Sequence, residues 1–207
     1  PEVQYVVTEL SGRRDRQPPG INENTTDSQI KIVVVNPNLS RPGFNYGGEI
    51  ERIRVDVFVP RKSNLSIVTD GEIRLEGVSG EIDLEGGSEA INVRETDGKM
   101  TVTTDGGMVR VIGFKGDLNA ESNEGDLFLE GDFRGLKATA SAGDVILTLS
   151  ERSNISLHSN SEPVFEGLEL KRSGENEWKL GTGTSKYDLN LGDGKLVVRG
   201  LDQLNTN

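Results

Sequence analysis

"GEIRLEGVSGEIDLEGG", Gly71–Gly87, says one thing twice: Gly-x-apolar-x-apolar, a short turn, and the same five-residue unit again. Cutting the chain every nine residues from Gly71 extends the statement. The first positions are Gly71, Gly80, Glu89, Gly98, Gly107, Gly116, Gly125, Arg134 and Gly143. Two residues on lie Ile73, Ile82, Ile91, Met100, Val109, Leu118, Leu127, Leu136 and Val145. Four residues on lie Leu75, Leu84, Val93, Val102, Val111, Ala120, Leu129, Ala138 and Leu147. Every one of these inner positions is apolar in a chain that is only 33% apolar, so the repetition is not chance.

Apolar residues at every second position define a strand with one buried face, because successive side chains point to opposite sides. A five-residue strand cannot bury its apolar pair alone. Stacking strands in parallel, about 4.7–4.9 Å apart, buries it between neighbours. A glycine at the start of each unit suits a bend with positive φ or a close backbone approach. Nine residues are too few to close a coil, and a second period shows how units combine. Alternate units carry a larger corner residue (Val78, Phe114, Phe133), whereas the others have small polar corners. The expected fold is therefore all-β: a single-stranded parallel β-solenoid (β-helix), with about 18 residues and two short strands per coil. Right-handed winding is the expectation. A triangular coil and a meander of antiparallel hairpins are the alternative geometries; hairpins would favour regular two-residue Asn-Gly or Asp-Gly turns.

Composition agrees with a narrow, repetitive core. The 207 residues include 26 Gly and only 5% aromatics, and they lack the long Ala/Leu-rich windows of helices. A net charge of −11 argues against a nucleic-acid partner, which needs a basic face. The absence of cysteine removes disulfides, thiol catalysis and zinc–thiolate sites. No apolar run approaches the ~20 residues that span a bilayer. The chain begins at Pro1 rather than Met, so the lack of a leader says nothing about export, and a preceding anchor is an open expectation.

Toward the ends the repeat loosens. Upstream, "IRVDVFVP" alternates Ile53, Val55, Val57 and Val59 and stops at Pro60; "NLSIV" follows. Downstream, "NISL", "VFEGLEL", "EWKL", "YDLNL" and "GKLVVRG" are strand-like, with Leu189/Leu191 and Leu196/Val198 as inward pairs. The first 50 residues differ: "VQYVV" and "SQIKIVVV" are strands between loops rich in Pro, Gly and Asn. The expected organisation is residues 1–50 as strands and loops capping the solenoid edge, and 51–207 as the solenoid with an irregular C-terminal end.

These residues carry a resemblance. "VDVFVPRKSNLSIVTDGEIRLEGVSGEIDLEGGSEAINVRETDGKMTVTTDGG", with its V-x-V-P lead-in and alternating Gly units, resembles the bacterial putative-adhesin family of β-strand repeats, a domain of unknown function. The ending "DLNLGDGKLVVRG" is similar to that family's last strand pair. The resemblance spans roughly residues 50 to 200 and implies a single-stranded β-solenoid, exported or attached to a bacterial envelope, with no assigned enzymatic activity. It brings no catalytic motif to carry over. Glu89 and Arg134 depart from the glycine pattern.

Three chemistries come into question for these residues. Calcium-binding β-rolls share the period of nine, but they need one apolar residue and one fixed Asp per unit. Here there are two apolar residues per unit, and the acids wander (Asp97, Asp105, Glu124, Asp132); Asp97 and Asp105 read as Asx turns bonding their own turn backbone. A polysaccharide-active β-helix enzyme would place carboxylates on one face. Asp126 over Asp144 is the best such pair, among outward residues of mixed sign. His158 stands outside the regular array, and Trp178 reads as a cap for the solenoid end. Threonines on the second face (Thr101, Thr103, Thr104, Thr139) do not recur coil by coil as an ice-binding array would require.

The candidate binding surface is apolar. Met108, Ile112, Phe128 and Ile146 fall on outward positions of the first face in successive coils, and contiguous apolar patches mark partner contacts. The competing expectation is that the first 50 residues or a C-terminal segment covers them. The functional expectation is a non-enzymatic, exported adhesin or binding scaffold, periplasmic or at the cell surface, with a protein or glycan partner. No catalytic residue, metal or cofactor is assigned.

Overall fold

The computed structural model describes residues 3–10, 19–26, 29–35 and 53–201. Among these no helix is long and apolar enough to cross a membrane. The chain divides into two compact units, Pro1–Pro60 and Arg61–Asn207.

The first unit holds β1 (Gln4–Glu9), β2 (Gly20–Thr25), β3 (Ile30–Val35) and β4 (Ile53–Phe58). β1 pairs antiparallel with β4, and β2 with β3. The division between the two units falls at Pro60/Arg61. The period-2 pattern of Ile53–Val59 announces a strand but not its partner, and β1 supplies that partner here. The loops expected to cap the solenoid lie largely at 11–18, 27–28 and 36–52, outside the described residues.

The second unit is the solenoid, about five turns of about 18 residues. In chain order its strands are β5 (Leu65–Thr69), β6 (Ile73–Glu76), β7 (Ser79–Gly86), β8 (Ile91–Arg94), β9 (Asp97–Thr104), β10 (Val109–Ser122) and β11 (Leu127–Ala140). Then follow β12 (Val145–Leu149), β13 (Ile155–Ser159), β14 (Val164–Glu166), β15 (Lys171–Arg172), β16 (Glu177–Leu180), β17 (Ser185–Leu191) and β18 (Leu196–Gly200). On the first face Ile73, Ile91, Val109, Leu127 and Val145 stand in one parallel register; on the second, Ile82, Met100, Leu118 and Leu136 do the same. All nine are buried, as are their partners two residues on. β10 and β11 run unbroken round the corner from one face to the other.

Both corners are built by the residues that the repeat places there. At one, Gly80, Gly98 and Gly116 stack in register. The backbone of Gly116 has φ of 135°, and a Cβ there would sit 1.9 Å from the carbonyl oxygen of Gly98. The repeat slips by one residue in the next coil, where Gly116 faces Phe133 and Asp117 faces Gly135. Arg134 is the extra residue of this bulge, which is why it departs from the glycine pattern. Beside these glycines the larger corner residues fill the interior: Val78, Phe114 and Phe133 are buried. Phe114 and Phe133 stack with centroids 6.0 Å apart, and Tyr187 meets Phe133 edge-on at 5.9 Å. These offset and edge contacts suit the ring quadrupoles.

Spatial order departs from chain order at the C-terminal end. β12 and β14 do not pair with each other; β18 lies between them, parallel to both. Likewise β17 lies between β11 and β13. The last two strands therefore fill a slot that the chain has passed and left open. Asn160 clamps the insertion, its amide nitrogen donating to the Leu191 carbonyl at 2.7 Å and its oxygen accepting from the Leu191 N–H at 2.8 Å. Beyond β13 the hairpin β15–β16 is antiparallel, and Trp178 of β16 is buried opposite Leu157. Trp178 thus closes the end of the core, as its position in the sequence suggested.

Tyr187 belongs to this insertion and gives it a pH signature. Its hydroxyl donates to the Phe133 carbonyl at 3.2 Å. Burial, with the Asp132 carboxylate adding to it, pushes the phenol up to about 12. The native state then keeps a proton that the unfolded chain releases above its ordinary value of 10.0, so stability is complete below that pH and falls as pH rises toward 12. Tyr187→Phe is expected to cost about 0.5–1.5 kcal/mol at neutral pH through the lost hydrogen bond. That deficit should close on melting curves recorded from pH 9 to 12, because only the wild type has this phenol to ionise. A constant difference across the range would show that the phenol is not held neutral by the fold.

Candidate functional site

The first face carries the expected apolar residues on a defined grid. Arg110, Phe128, Ile146, Val197 and Val164 occupy one outward column, each in register with the next. Phe128 and Ile146 are therefore direct neighbours. Ile112 lies in the adjoining column, between Arg94 and Glu130, and Met108 precedes β10 on the other side of Arg110. Met108 is 37% exposed, Ile112 and Phe128 are half-buried, and Ile146 is only 8% exposed. Ile146 presents little surface of its own. Val197 and Val164, 51% exposed, continue the column instead. These two were not recognised in the sequence because residues 150–195 separate β12 from β18, which breaks the count of eighteen.

Charge rims this column. The Arg110 guanidinium lies over the Phe128 ring, 5.4 Å from its centroid, a cation–π contact that keeps both side chains flat on the sheet. On the following column stand Glu130, Thr148, Arg199 and Glu166. An apolar centre with a charged border is the anatomy of a protein contact surface.

The carboxylates singled out as possible chemistry are engaged in holding coils together. Asp126 accepts the Asp144 backbone N–H at 2.8 Å, and Asp144 accepts that of Lys195 at 2.8 Å. Each acid thus satisfies a donor of the next coil, where an acid/base pair would face a substrate. Asp97 accepts from the Ser79 hydroxyl and lies 3.6 Å from Arg61; Asp105 accepts from the Asn123 amide at 2.8 Å. The Asx-turn reading is corrected here: these side chains reach the neighbouring coil, because stacked corners bring identical turn positions side by side. His158 is exposed on the second face, in register with Asp188 and Glu177.

The second face carries an open concavity of about 290 Å³ that Gly135 helps to line. Lys99, Thr101, Asp117, Asn119, Lys137 and Lys186 line it together with the edges of the inward residues. Asp117 is held by Arg134 at 2.9 Å.

The family model described as Toastrack DUF4097 matches residues 53–199. Among solved structures, a putative cell adhesion protein from Clostridium sporogenes is similar, with 12% identity and a TM-score of 0.43; the match covers 96% of this chain and 82% of that one. No curated protein matches the chain.

Proposed function

We propose, for a chain that belongs to the Toastrack DUF4097 family, a role in binding rather than catalysis: an adhesin-type scaffold, exported and held in the periplasm or at the surface of a bacterial cell. The observation that carries this reading is the column Phe128–Ile146–Val197–Val164 on a flat face whose interior strands are paired on both sides. Paired backbone groups leave only side chains to recognise a partner. Parallel ladders and buried Ile/Leu/Val columns keep those side chains at fixed spacing, so little ordering entropy is lost on binding.

Phe128 is the largest residue of the column, and large buried aromatics dominate contact energies. Phe128→Asp is expected to weaken retention on whole cells or on arrays of cell-surface and matrix proteins at least about tenfold. Its melting temperature should stay close to that of the wild type, because Phe128 points outward. Equal retention of the two proteins would remove this face as the binding site. No retention of the wild type on any surface would leave the adhesin reading without support.

A further inference from the structure

The concavity around Gly135 is not explained by the backbone. Glycines such as Gly116 and Gly125 are required where they stand: a Cβ would meet a carbonyl oxygen of the preceding coil at 1.9 Å and 2.1 Å respectively. Gly135 has no such need. A Cβ built there meets only a side-chain oxygen of Asp117, at 3.2 Å, and its φ is not positive. In its outward column, Glu81, Lys99, Asp117, Gly135 and Lys186 follow one another in register. The missing side chain therefore leaves a notch between Asp117 and Lys186 that a strand does not need and that weakens it.

What surrounds the notch is specific in kind. Lys99 and Lys186 stand three rungs apart, about 14 Å along the column, and Lys137 lies two residues on from Gly135. Lys99 is loosely paired with Glu81 at 3.4 Å, whereas Lys137 and Lys186 have no ion pair among the described residues. In a chain of net charge −11, two lysines without an ion pair among the described residues at the border of one concavity are unexpected. The acids nearby do not cancel them: Asp117 is drawn toward Arg134 at 2.9 Å, and Asp188, in register with Lys137, forms no ion pair with it. The amide of Asn119 donates to Glu121 at 3.3 Å, and its oxygen is shielded from solvent. Thr101 adds a hydroxyl.

We infer that this notch binds an acidic saccharide of one or two sugar units, with its carboxylate or sulfate between Lys137 and Lys186 and a hydroxyl on Thr101. Amines and a hydroxyl are groups that recognise an anionic polyol. An acidic peptide fits less well, because β9, β10, β11 and β17 are paired on both sides and offer no backbone edge to an extended chain. The site lies on the face opposite the apolar column and does not depend on it.

The test uses the whole chain and titrates it with an oligogalacturonate, a heparin fragment, a neutral dextran oligomer and a short polyglutamate. Binding of one of the two acidic saccharides is expected, the carboxylated and sulfated probes distinguishing the anion preferred. The double variant Lys137→Glu/Lys186→Glu should lose at least tenfold in affinity. Gly135→Val, which fills the notch without touching a charge, should lose as much while melting no lower than the wild type. Phe128→Asp should bind the saccharide normally, which separates this site from the proposed adhesin surface. The inference is overturned if neither acidic saccharide binds, if dextran or polyglutamate binds equally well, or if the double variant or Gly135→Val binds unchanged.

Discussion

Gly116→Ala is expected to destabilise the solenoid by at least about 3 kcal/mol, at or beyond the upper end of ordinary overpacking. Two costs coincide at this residue. The backbone sits at φ 135°, which side-chain-bearing residues rarely adopt, and the added methyl would lie 1.9 Å from the Gly98 carbonyl oxygen. Neither neighbour can yield cheaply. Gly98 is itself fixed by its stacking on Gly80, so relief requires the parallel ladder between β9 and β10 to part at the corner. Part of the ladder would then lose hydrogen bonds in a buried setting. In thermal melts the loss should exceed roughly 6 °C for a chain of this size. Gly135→Ala is the internal control: it adds the same methyl where only a side-chain oxygen is near, and it should melt at or above the wild type. Similar melting temperatures for the two variants would refute the close-approach account of the corner.

That contrast also marks how far the sequence could be read. The period of nine placed Ile82 beside Met100 and Val109 beside Leu127, because a two-residue apolar pitch and a constant repeat leave no freedom in register. It could not distinguish the two kinds of glycine, since close approach depends on the coil below and not on the glycine's own neighbours. At Arg134 the glycine pattern broke, and the structure explains it as the extra residue of a bulge, after which Gly135 and Leu136 resume the regular register. The acidic pair Asp126 and Asp144 was found by register, yet its role was hidden, because the donors it serves are backbone groups common to every residue. The notch was out of reach for a different reason. Lys186 joins Lys137 and Gly135 only through the pairing of β11 with β17, across a stretch of chain with no regular repeat. The pairing of β18 with β12 and β14 likewise completes the outward apolar column with Val197 and Val164 on the other face.

Removing the chain after residue 184 should abolish cooperative folding of the solenoid. In an ordinary repeat protein the loss of a terminal coil trims the array, because each repeat contacts only its neighbours in sequence. Here the terminal coil is internal. β17 and β18 separate β11 from β13 and β12 from β14, so truncation leaves β13–β16 with no parallel partner on the core side. It also removes Tyr187, Leu189, Leu191, Leu196 and Val198, all buried. At about 1.5–3 kcal/mol for each large apolar side chain, the lost burial alone is on the order of 8–15 kcal/mol, comparable to the whole stability of a typical domain. The loss spreads inward, since Phe133 would surrender the Tyr187 edge contact and Phe114 is stacked on Phe133. Circular dichroism and urea denaturation of a 1–184 fragment should therefore show no cooperative transition, and hydrogen exchange in the full chain should protect Leu189 and Val198 as strongly as Leu129. A fragment that unfolds cooperatively near the wild-type midpoint would mean that the coils before β13 stand alone, with the last two strands only an addition to their edge.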